Sequence, residues 1–68
     1  MEYEIEWAGV KYTVEPYIDD GELFAVIRSV SGLEQYGADE LTGLFSEEAH
    51  FQLARELEAM MRAEGDEV

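Results

Sequence analysis

The sequence predicts an α+β fold: a three- to four-stranded antiparallel β-meander with one C-terminal α-helix packed on one face. Three observations carry this. Strict apolar/polar alternation runs from Glu2 to Glu15 with a single change of parity at Ala8-Gly9. A second pair of alternating segments flanks Asp20-Gly21, and a helical periodicity opens at Ser46 and closes before Gly65.

The first alternation places Tyr3, Ile5, Trp7, Val10, Tyr12 and Val14 on one face and Glu2, Glu4, Glu6, Lys11, Thr13 and Glu15 on the other. A two-residue hairpin loop at Ala8-Gly9 accounts for the parity change. Pairing across it sets Trp7 against Val10, Ile5 against Tyr12 and Tyr3 against Val14. On the opposite face it sets Glu6 against Lys11, Glu4 against Thr13 and Glu2 against Glu15. One register satisfies both faces.

The second hairpin turns at Asp20-Gly21 and continues into a strand from Leu23 to Val30. Its core face pairs Ile18 with Leu23, Pro16 with Ala25 and Val14 with Ile27. Tyr17, Phe24, Val26 and Val30 then fall on the reverse face, near Arg28 and Glu15. Pro16 lacks a backbone N–H, so a bulge or an unpaired position is expected there. Residues 31–45 read as an irregular connection punctuated by Gly32, Gly37 and Gly43, with a short strand or one helical turn between Asp39 and Leu44 as the two options.

Ser46 is a good N-cap, and Glu47 and Glu48 follow in the first turn, where the helix dipole favours negative charge. The helix is expected over 46–64, with Gly65 as its stop and 65–68 as a frayed tail. Ala49, His50, Leu53, Ala54, Leu57, Met60 and Met61 share one arc of the helix, the width of a sheet-packing face. Phe51 breaks the pattern, because it projects on the polar side. It is expected to meet the 31–45 connection or a second subunit.

Sixty-eight residues make one domain, 1–68, divided into a β-meander at 1–30, the connection, the helix and the tail. Such a chain buries only about 60% of the surface that its unfolded form exposes, so modest stability is expected. There is no cysteine, which removes disulfides as a staple and fits a reducing compartment. Met1 leads into Glu2, Glu4 and Glu6 rather than into a basic region and an apolar run, so no secretory leader is expected. No apolar stretch approaches the roughly 20 residues of a bilayer span. A soluble, cytoplasmic protein is expected.

Seventeen Asp and Glu face four Lys and Arg, for a formal net charge of -13. That field repels nucleic acid and anionic membranes, so direct binding to either is not expected. A composition that is 47% hydrophobic is too apolar for a disordered acidic tail.

The residue inventory argues against catalysis. One histidine, no cysteine and the serines Ser29, Ser31 and Ser46 offer no oriented nucleophile and base. A general acid needs burial to raise its pKa, and the carboxylates fall on solvent faces. His50 lies in the apolar arc, where packing with Phe45 across the helix start explains it better than a metal does. The run Asp19, Asp20, Gly21, Glu22 lacks calcium-loop spacing and reads as turn chemistry. Glycines form no phosphate loop, and no basic patch exists. No enzyme activity, cofactor or metal is expected.

Two features remain. Glu2, Glu4 and Glu6 form a carboxylate row along one strand face. Their spacing of about 6.6–6.8 Å is close to two phosphate steps of about 3.4 Å along one DNA strand. Further acids stand at Asp19, Asp20 and Glu22, at Glu34, Asp39 and Glu40, and at Glu47 and Glu48. The second feature is the apolar group Tyr17, Phe24 and Val26 on the face away from the helix, which reads as a docking surface inside an acidic rim.

In size, charge, acidic hairpin and single capped helix the chain resembles the small acidic inhibitors encoded by phages and mobile elements, among them anti-CRISPR and DNA-mimic anti-defence proteins. The resemblance implies an inhibitor that occupies a nucleic-acid or subunit site on a host effector complex. The expected partner is a basic nucleic-acid-handling protein or complex. Glu2, Glu4, Glu6, Glu15, Asp19, Asp20 and Glu22 are the expected electrostatic face, with Tyr17 and Phe24 as anchors. The alternative is a small structural or adaptor protein, a homodimer that buries Phe51 and the Tyr17–Phe24 patch, whose acidity serves solubility.

Overall fold

A computed structural model describes residues 1–65. The chain runs β1 (Tyr3–Trp7), β2 (Val10–Asp19), β3 (Glu22–Val30), α1 (Ala38–Leu44) and α2 (Glu47–Ala63). The strands form one antiparallel sheet in the order β1-β2-β3, with both helices packed against it. The fold is α+β, with three strands and two helices where the sequence suggested up to four strands and one helix. The tail expected at Asp66, Glu67 and Val68 lies outside the described residues.

The β1–β2 register is the one both faces require: Trp7 opposite Val10, Ile5 opposite Tyr12, Tyr3 opposite Val14. Ala8 and Gly9 have φ of 54° and 77°, and Asp20 and Gly21 have φ of 53° and 80°. Positive φ at both central residues is the type I′ geometry that matches strand twist. Asp tolerates that conformation, whereas alanine in it costs roughly 1–2 kcal/mol. Replacing Ala8 with asparagine is therefore expected to stabilise the fold by about 1 kcal/mol. A urea midpoint that stays level or drops would refute the strain.

In the second hairpin Ile18 pairs with Leu23, Pro16 with Ala25 and Val14 with Ile27. Of the two options at Pro16 the bulge is absent, and the ladder needs no N–H from it. Counting from the closing Asp19–Glu22 pair, alternate pairs exchange hydrogen bonds, which leaves Pro16 in a non-bonded pair with its nitrogen directed toward β1. The β1–β2 pairing ends at Tyr3–Val14, so the missing N–H removes no ladder bond. The irregularity sits instead between Thr13 and Val14, because Thr13 pairs with Ser29 and Val14 with Ile27. Arg28 is the extra residue. It shifts the parity of β3 and turns Val30, expected on the reverse face, into the core at 2% exposure.

The core joins Tyr3, Ile5, Tyr12, Val14, Ala25, Ile27 and Val30 of the sheet to Leu41 of α1 and Leu53, Leu57 and Met61 of α2. Each fully buried Leu or Ile is worth about 1.5–3 kcal/mol over its exposed state. Phe45, between the helices, packs edge-on to Tyr12 with ring centroids 5.6 Å apart, and Trp7 flanks the same ring at 6.2 Å.

The 31–45 connection is less irregular than its sequence suggests. Ser31 N–H donates to the Lys11 carbonyl at 2.9 Å, extending the sheet by one bond. Gly32 turns the chain at φ 89°, and its N–H donates to Glu34 Oε2 at 3.1 Å. That bond, with a second from Glu34's own amide, holds the Glu34 carboxyl below the usual carboxylate pKa. Glu40 Oε1 accepts from Gly37 N–H at 3.1 Å and starts α1. Seven residues with Gly43 in the last turn would not hold a helix alone. Leu41, at 0% exposure, pins it to the core.

For α2, Ser46 Oγ accepts from Ala49 N–H at 3.2 Å. Gly65 closes the helix at φ 86°, donating to the Arg62 carbonyl at 3.0 Å. Ala49, Leu53, Leu57 and Met61 are its buried residues.

Candidate functional site

The sheet face away from the helices carries the sequence-derived candidates in two groups. At one end Glu4 and Glu6 of β1 are exposed opposite Thr13 and Lys11. Arg28, left over by the bulge, stands between Glu2 and Glu15: its Nε is 3.9 Å from Glu2 Oε2 and its Nη1 3.9 Å from Glu15 Oε1. Such long, half-exposed pairs are each worth about 0–1 kcal/mol. They offset the carboxylate row locally at Glu2 and Glu15. Among the described residues Glu4, Glu6, Asp19, Asp20 and Glu22 form no ion pair.

At the other end Tyr17 and Phe24 are cross-strand partners, with rings 6.4 Å apart and tilted by 40°. They are 55% and 45% exposed. Asp19, Asp20 and Glu22 adjoin them at the hairpin tip, all exposed. The structure therefore brings Tyr17, Asp19, Asp20, Glu22 and Phe24 together and sets them apart along the sheet from Glu4 and Glu6.

Sequence reasoning missed a concavity beside the sheet. An open groove of about 770 Å³ runs between β3 and α2, lined by Glu22 to Val26 on the strand and by Glu47, His50, Phe51, Ala54, Arg55 and Glu58 on the helix, with Thr42 at one end. The helical residues recur at three- and four-residue intervals, so they form one face of α2, adjacent to the core face. Phe51 is 61% exposed, and the guanidinium carbon of Arg55 lies 5.9 Å from its ring centroid. The 31–45 connection does not cover this ring. Phe51 on the polar side of the helix was the one sequence signal of the groove.

His50 borders the groove through a structural bond. Its Nε2 lies 3.0 Å from the Thr42 carbonyl oxygen. A carbonyl can only accept, so Nε2 carries the proton. The bond ties the end of α1 to the first turns of α2.

The arrangement is suited to recognition by shape and charge. Among the described residues no polar or charged side chain is buried, and no buried side-chain polar atom lacks a partner. No group of three or more metal-ligating side chains occurs among them, and no helix is long and apolar enough to cross a membrane. No family model, curated protein or solved structure matches the chain.

Proposed function

We propose that this chain is a non-enzymatic binding protein that inhibits a host nucleoprotein effector by occupying a basic nucleic-acid-binding or subunit site, in the manner of anti-CRISPR and DNA-mimic proteins. The observation that carries this reading is an anionic surface left largely uncompensated. Of the four cations, Arg28 and Arg62 are engaged with Glu2, Glu15 and Glu58, and Arg55 lies over Phe51. Glu4, Glu6, Asp19, Asp20 and Glu22 face solvent without an ion-pair partner. A solubility role calls for a net charge of magnitude only about 2–8, and -13 exceeds it.

Replacing Glu2, Glu4 and Glu6 together with glutamine is expected to weaken capture of the basic partner about tenfold, at about 0.5 kcal/mol for each exposed charge pair. The measurement compares affinities at low and high salt, and unchanged affinity would sink the reading. The exposed Phe51, Tyr17 and Phe24 rings favour a second one, a structural or adaptor homodimer. A dimer at micromolar concentration that ignores salt would select it.

A further inference from the structure

We propose that the free edge of β3 from Glu22 to Val26, with the α2 face of Phe51, Ala54, Arg55 and Glu58, binds an extended, lysine- or arginine-bearing segment of a partner protein by taking it up as a fourth strand. The proposal rests on the reading of the chain as a binder of basic proteins, and it assigns the site and mode of contact.

The backbone makes the first part of the case. β3 is an edge of the sheet. The closing pair Asp19–Glu22 is a hydrogen-bonded pair of a two-residue hairpin, so Tyr17–Phe24 and Glu15–Val26 are bonded and Ile18–Leu23, Pro16–Ala25 and Val14–Ile27 are not. The Ser31 N–H bond to the Lys11 carbonyl has the same parity. The N–H and C=O groups of Leu23, Ala25 and Ile27 therefore point away from β2. Among the described residues no other segment hydrogen-bonds to them. Unpaired edge groups of this kind are a template for an added strand.

The two edges of the sheet differ. On β1 the outward groups belong by the same count to Glu4 and Glu6, whose charges blunt that edge. On β3 they belong to Leu23, Ala25 and Ile27, whose side chains face the helices and the core. An incoming strand at Leu23 and Ala25 would enter the groove, with Phe51 and Ala54 on its helix side and Phe24 on the other.

Charge selects the occupant. The groove carries Glu22, Glu47 and Glu58 against Arg55, and Arg55 lies over the Phe51 ring. A second copy would bring the same acidic rim and another net charge of -13. A strand with alternating apolar and basic side chains complements the site on both counts: apolar residues meet Phe51, Ala54 and Ala25, and basic ones reach the glutamates.

The test uses a capped peptide of about eight residues, an ordinary strand length, that alternates valine and lysine, with a valine/glutamate peptide as control. The valine/lysine peptide is expected to bind the intact chain and to shift the amide resonances of Leu23, Ala25 and Phe51. The control is expected not to bind. Ala25→Pro removes an outward N–H without touching the β2 ladder, and Phe51→Ala removes an exposed ring. Each is expected to weaken binding tenfold or more. Phe51→Ala keeps its urea midpoint, which covers the case where proline disturbs the fold. No binding of the valine/lysine peptide, equal binding of the control, or unweakened binding by Phe51→Ala would overturn the proposal. So would a dimer of the free chain that buries the β3 edge. A basic partner captured undiminished by both variants overturns the groove and leaves the electrostatic reading intact. Peptide binding by a chain that captures no basic protein leaves the groove intact and overturns that reading.

Discussion

Leu53→Ala is expected to remove a third or more of the stability of the fold. Leu53 is 0% exposed, in the middle of the α2 face that covers the sheet. Truncation of a buried leucine to alanine costs about 2–5 kcal/mol, the spread reflecting how far the cavity collapses. A domain of this size has about 3–10 kcal/mol in total. There is no disulfide to limit the unfolded chain. Phe51→Ala, two residues along the same helix, is the internal comparison. At 61% exposure it should shift stability by no more than about 0.5 kcal/mol. Urea unfolding followed by far-UV circular dichroism reads both. A Leu53→Ala midpoint within error of the parent would mean that α2 does not hold the sheet as described, whereas equal losses in the two variants would mean that the groove face is also buried.

The contrast between those positions shows which parts of the molecule are legible in its sequence. Period-2 alternation constrains a strand when both faces have a consistent character, and Tyr3 to Val14 satisfies it twice, so the first register follows directly. The α2 boundaries follow from Ser46 and Gly65, residues with a specific job at helix ends. The bulge at Arg28 was open to inference only through Val30. Strict alternation would put that valine in solvent and Ser29 in the core, and an extra residue corrects both. Pro16 left a bulge and an unpaired position open, because the cost of a proline depends on which way its nitrogen points. That requires knowing the bonded pairs on both sides of β2. α1 stayed one of two options, a short strand or a helical turn at Asp39 to Leu44, because a seven-residue helix with one fully buried side chain and a glycine has no periodicity to decide between them.

The candidate site divides in the same way. The tip cluster of Tyr17, Asp19, Asp20, Glu22 and Phe24 follows from hairpin register alone, since all five lie within one turn and its flanking pairs. The groove does not, because it depends on where α2 lies across β3. Sequence marks only the misfit of Phe51. Alternation already sets Arg28 near Glu15, but its reach to Glu2, which offsets one end of the carboxylate row, needs the structure.

Added salt is expected to strengthen the fold and weaken partner binding, two opposite responses from one charge distribution. A pair of like charges 20 Å apart in water repels by about 0.2 kcal/mol. The molecule measures 33 × 24 × 21 Å, so nearly all its carboxylates lie within such distances of one another. The Debye length falls from about 30 Å at 0.01 M salt to about 3 Å at 1 M, which removes most of that repulsion. Screening also weakens the ion pairs of Arg28 and Arg62, but these exposed contacts contribute about 0–1 kcal/mol each. The repulsive sum is the larger, so raising sodium chloride from 10 mM to 0.5 M should raise unfolding free energy by on the order of 1–2 kcal/mol. Urea, being uncharged, leaves the comparison clean. Over the same range the affinity for a basic partner should fall, because the attraction is screened by the same ions. A urea midpoint that drops with salt would show that ion pairs outweigh repulsion. An affinity indifferent to salt would show that the glutamates are not read by the partner. Opposite slopes would mean that the fold carries a charge that works against its own stability, and the reason for that charge then lies in what it attracts.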